Sequence, residues 1–109
     1  MTPREIHTLI RRLFYADPPG NDAWVHLMPD GHLDHEGTLK LLKRYIATEE
    51  VVVHGGSASR CVSLPIHDAP QRIEEFMIEG TVRIASIDFR GQVLINQIGV
   101  GRGGIKTPG

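Results

Sequence analysis

The sequence predicts an α+β domain, with a mainly antiparallel sheet built from hairpins and helices packed on one face. Two segments open with capping-type helix starts, and glycine-bearing reversals separate apolar runs of strand-forming residues. The elements then follow one another as helix, hairpin, helix, hairpin, helix, hairpin. A chain of 109 residues has room for one hydrophobic core, so residues 1–99 are read as a single domain.

Thr2-Pro3-Arg4-Glu5 supplies a capping hydroxyl, a proline at the first helical position and a glutamate three residues after the cap. Ile6, Leu9, Ile10, Leu13 and Phe14 then form one apolar stripe, and Asp17-Pro18-Pro19-Gly20-Asn21-Asp22 ends the helix near Ala16. Ala23 to Met28 reads as extended. Pro29-Asp30-Gly31 reads as a three-residue hairpin loop, pairing Met28 with His32, Leu27 with Leu33 and His26 with Asp34. Strand alternation then sends Val25, Leu27 and Leu33 to the core and leaves Trp24, His26, Met28, His32 and Asp34 on the other face.

A second helix is expected over Thr38 to Ala47, with Leu39, Leu42, Tyr45 and Ile46 on its apolar side. Glu50 to His54 and Arg60 to Leu64 read as strands joined by Gly55-Gly56-Ser57-Ala58-Ser59. Asp68-Ala69-Pro70-Gln71 starts a third helix running to about Glu79, and Gly80 closes it. Thr81 to Phe89 and Gln92 to Ile98 form the last hairpin. Residues 100–109 are so rich in glycine that they are expected to be a flexible tail.

Twelve Lys and Arg against thirteen Asp and Glu argue against a dedicated nucleic-acid binder, which needs a surplus of cations on one face. No stretch reaches the ~18 consecutive apolar residues of a membrane span, and the N-terminus lacks the apolar core of a secretory signal. A cytoplasmic protein with no membrane partner is expected. Cys61 stands alone, which excludes an intramolecular disulfide and a cysteine-based metal cage, and its strand setting predicts a buried, inert thiol. No metal and no cofactor are expected.

Four groups of residues are candidates for function. His26, His32 and Asp34, with Arg60 to stabilise negative charge, have the composition of an acid–base site if the hairpin register holds. Gly55, Gly56, Ser57 and Arg60 have the composition of an anion cradle, although a glycine-rich loop looks the same for conformational reasons. Residues 68–79 carry Asp68, Glu74, Glu75 and Glu79 against Arg72, a net of −3, and residues 80–109 carry a net of +3. Glu74, Glu75 and Glu79, together with an exposed Trp24, therefore form a candidate partner-binding set. Gly99, Gly101 and Gly104 spell G-x-G-x-x-G but precede no helix, so no dinucleotide site is inferred.

The primary expectation is a small intracellular protein-binding or inhibitor module of the toxin-immunity or phage-inhibitor type. It would occlude a partner by charge and shape complementarity, for example a basic enzyme such as a nuclease toxin. One alternative is a small hydrolase or ribonuclease-like enzyme working through His/Asp chemistry. Another is a regulatory module that forms a homodimer.

Overall fold

The computed structural model describes residues 2–13 and 24–105. Three helices, α1 (Pro3–Leu13), α2 (His35–Tyr45) and α3 (Ala69–Met77), accompany one six-stranded sheet. Its strands are β1 (Val25–His26), β2 (Glu50–His54), β3 (Cys61–Pro65), β4 (Val82–Ser86), β5 (Gly91–Ile95) and β6 (Val100–Ile105). They lie in the order β1-β6-β5-β4-β2-β3, and every neighbouring pair is antiparallel. The fold is α+β, as expected.

The alternation of strand residues decides where the helices sit. Val51, Val53, Val82, Ile84, Val93 and Ile95 project to one face, where Leu41 and Leu42 of α2, Ile46 just past its end, and Ile73 and Met77 of α3 close the main core. Val52 and Ala85 point the other way and meet Ile6 and Ile10 of α1, with Cys61 and Phe89. All three helices were expected on one face. Only α2 and α3 share one, because the β2 valines are apolar on both sides and can bury a helix on each.

The Thr2–Glu5 capping signal has a direct counterpart, whereas Asp68 stands at the N-cap of α3 without a side-chain cap hydrogen bond. Glu5 N–H donates to the Thr2 hydroxyl at 3.2 Å, and that hydroxyl donates to the Glu5 carboxylate at 3.1 Å. The expected end of the first helix at Ala16 and the Asp17–Asp22 turn lie outside the described residues. Helix α2 starts three residues before the expected Thr38, because Asp34 caps it: its carboxylate accepts from Gly37 N–H at 3.1 Å.

That cap dissolves the expected first hairpin. The chain does reverse at Pro29-Asp30-Gly31, with Gly31 at φ 85°, and Asp34 N–H donates to the Leu27 carbonyl at 2.7 Å. Past Leu33, however, it enters a helix, and β1 takes its ladder partner from β6 instead, pairing Val25 with Gly101 and His26 with Val100. Leu27 and Leu33 are buried as expected.

The expected flexible tail is a second correction. Residues 100–105 form β6, inserted between β1 and β5; residues 106–109 lie outside the described residues. Glycine weakens a strand interior, yet here it is what the packing requires. A side chain at Gly103 would enter the Tyr45 ring, and one at Gly101 would come within 2.8 Å of Leu41. The glycines let α2 settle directly on the strand backbone. The β4–β5 reversal is longer than expected, because the Ser86 hydroxyl accepts from Arg90 N–H at 3.1 Å and Gly91 N–H at 2.9 Å. Phe89 turns there in the left-handed region, at φ 60°, and buries its ring beside α1.

Candidate functional site

A close-set group of titratable side chains lies on the α1 side of the sheet. His7 of α1 and His54 at the end of β2 stack with ring centroids 5.1 Å apart, and His7 Nδ1 is 2.9 Å from His54 Nε2. Gly56 N–H donates to His54 Nδ1 at 3.2 Å, so a neutral His54 carries its proton on Nε2 and donates it to His7. Burial pulls the His54 pKa from 6.5 down to about 4, helped by the charges of His7 and Arg83. Arg83 is the cross-strand neighbour of His54 on β4.

Cys61 completes the cluster on β3, opposite His54. Its thiol donates to the Ser57 carbonyl at 2.9 Å, and burial pushes its pKa up to about 11, which keeps it a thiol rather than a nucleophilic thiolate. Ligand atoms of His7, His54 and Cys61 all lie within 4.8 Å of one another, close enough to share one metal ion. The Gly56 bond works against that use, since it places a proton on the nitrogen whose lone pair a metal would take. As folded, the pair shares a proton. His7 and His54 are 47 residues apart in sequence, so no local pattern could have joined them.

The residues singled out from the sequence are dispersed. His26 sits in β1, alternating with the core residue Leu27, and so faces the α1 side. His32 and Asp34 border a cleft on the α3 side with His35 and Glu74, and the Asp34 carboxylate is committed to capping α2. Arg60 lies beside α3, where it pairs with Glu79, donates to the Phe76 carbonyl and covers the Phe76 ring at 5.1 Å. His26, His32, Asp34 and Arg60 therefore do not form one site.

The candidate anion loop spends its donors internally. Gly55 N–H goes to the Arg60 carbonyl at 2.7 Å, Gly56 N–H goes to His54, and the Ser57 and Ser59 hydroxyls bond each other at 3.0 Å. The acidic helix is likewise partly neutralised from within. Glu74 accepts from His35 Nε2 at 2.9 Å and from Leu33 N–H at 3.0 Å, and these bonds hold its carboxyl below the usual range. Glu75 lies 3.6 Å from Arg72. Trp24 is exposed as expected, with the Arg102 guanidinium 5.9 Å from its ring centroid.

Among the described residues, the most exposed large apolar side chains stand elsewhere. Ile78, just past α3, is 74% exposed and Ile98, in the β5–β6 turn, is 79% exposed. Gln97 Nε2 donates to the Ile78 carbonyl at 3.4 Å, tying the two segments together. Beside them opens a cleft of about 470 Å³ bordered by Met28, His32, Glu74, Met77 and Gln97. No helix among the described residues is long and apolar enough to cross a membrane. Comparison with family models, with curated proteins and with solved structures gives no match for this chain.

Proposed function

We propose that the chain is a small protein-binding module that docks through the end of the domain formed by Ile78, Ile98 and the neighbouring methionine-lined cleft. The observation that supports this is the exposure of two β-branched apolar side chains on segments joined by one hydrogen bond. Single exposed apolar residues are ordinary, but two beside a cleft containing Met28 and Met77 make an adaptable apolar patch. Glu74 puts a carboxylate on the cleft wall, and Glu75, which borders a different cleft with Arg72, adds charge of the same sign at longer range, which suits a partner with an apolar centre and a basic rim.

Action as an inhibitor of the immunity type, occluding a basic enzyme, is the finer form of this proposal. Charge plays a smaller part in it than the sequence suggests, because Glu74 and Glu79 already have partners within the chain. The test is affinity capture from the native host with the wild-type protein, the Ile78→Glu/Ile98→Glu double variant and Glu75→Lys. A partner held by the wild type should be lost by the double variant and weakened by Glu75→Lys. Undiminished capture by the double variant overturns the docking face. A captured enzyme that keeps full activity when saturated with this protein overturns the inhibitor form alone.

A further inference from the structure

On the α1 side of the sheet, one row of side chains runs across five strands in register. Cys61 faces His54, His54 faces Arg83, Arg83 faces Leu94, and Leu94 faces Arg102. In the adjacent row Gln92 pairs with Ala85 and Gly104, which puts Gln92 diagonal to Arg83 across the β4–β5 pair, within reach of long side chains. Two guanidinium groups thus flank Leu94, and a carboxamide lies next to it.

Two buried donors in this group have no hydrogen-bond partner among the described residues. Gln92 is only 2% exposed, and its Nε2 has no acceptor. Arg83 is half-buried, its Nε is shielded from solvent, and it too lacks an acceptor; no ion pair to Arg83 occurs among the described residues. Buried polar groups are almost always satisfied, and one that is not marks a place for an ion, a water or a ligand. A neutral acceptor would satisfy the amide and leave the charge of Arg83 uncompensated. An oxyanion satisfies both, because a guanidinium presents two parallel N–H groups to it and the carboxamide adds a third donor.

We infer that this face binds a small oxyanion, phosphate or carboxylate in character, between the Arg83 guanidinium and the Gln92 carboxamide, with Arg102 adding positive charge. The site is separate from the Ile78–Ile98 docking face and stands or falls independently of it. It is also distinct from the glycine loop at Gly55 and Gly56, whose donors are occupied.

The test is ¹⁵N-detected NMR of the Arg83 Nε–H and Gln92 Nε2–H groups during titration with inorganic phosphate and, separately, with acetate, at ionic strength matched by chloride. Saturable shifts of both resonances by either oxyanion, with a parallel rise in melting temperature, are expected. The response shows which anion class is preferred. Arg83→Lys should weaken the binding about tenfold, because the lysine keeps the charge and loses the fork. Gln92→Glu should abolish the response while remaining folded without the anion, since it places a carboxylate beside Arg83. Resonances that stay still with both anions, or that move equally with chloride, overturn the inference; so does a Gln92→Glu protein that responds as the wild type does.

Discussion

His54 Nε2 lies 2.9 Å from His7 Nδ1, and the proton between them belongs to His54 because Gly56 N–H occupies its other nitrogen. This bond joins the N-terminal helix to the edge of a central strand. Protonating His54 would take the Nδ1 lone pair that accepts from Gly56 N–H and set a second positive charge beside Arg83.

A pH dependence follows. The folded His54 pKa is about 4 against an ordinary 6.5, so between these values the unfolded chain binds a proton that the folded chain refuses. Stability should therefore be complete above pH 6.5 and fall as the pH drops toward 4, by on the order of 2–3 kcal/mol. Urea denaturation across this window should show the fall in the wild type and a flatter profile in His54→Gln. The downward shifts of Glu74 and Asp88 lower stability in the same direction from about their ordinary values of 4.5 and 3.8, so they overlap only the acid end of this window.

Asp34 should behave as a cap and not as a catalytic carboxylate. Asp34→Ala should lower stability by about 1 kcal/mol, and Asp34→Ser and Asp34→Asn, both good caps, should restore most of the loss. Thermal unfolding of the three variants decides it. Loss of stability in all three would mean that the charge matters, not the cap.

Glu74 and Glu75 are adjacent but should differ sharply. Glu74→Ala leaves Leu33 N–H without its acceptor and should cost roughly 1–2 kcal/mol, whereas Glu75→Ala removes an exposed pairing worth well under about 1 kcal/mol. Chemical denaturation midpoints check this. Equal effects would show that the Glu74 contacts add nothing.

Gly103→Ala should destabilise the fold by roughly 1–3 kcal/mol, because the methyl group enters the Tyr45 ring. Combining it with Tyr45→Leu should cost less than the sum of the two single changes. Additive losses in a double-mutant cycle would show that the strand bends away instead. Deleting residues 100–109 should prevent folding altogether, seen as loss of amide dispersion by NMR.

Much of the architecture could be read locally. The Thr2–Glu5 cap, the Asp68–Pro70 start and the valine run of β2 are short-range signals with direct structural counterparts. The errors came where a distant partner decided the outcome. Asp34 looked like a strand residue until α2 needed a cap, and the glycines of β6 looked like a tail until α2 needed a flat surface. The candidate sites were less legible for the same reason. His7 with His54 and Arg83 with Gln92 are joined only by the sheet register, while the histidines of residues 26–35, close in sequence, are separated by it.

The position of β6 also bears on how the chain is made. During synthesis β1 emerges first of the six strands and its ladder partner β6 last of them. Until then β5, buried along its whole length in the finished protein, presents an open edge able to pair with another nascent chain. Each molecule passes through that exposed stage before its sheet can close, and a ribosome pausing before residue 100 would prolong it.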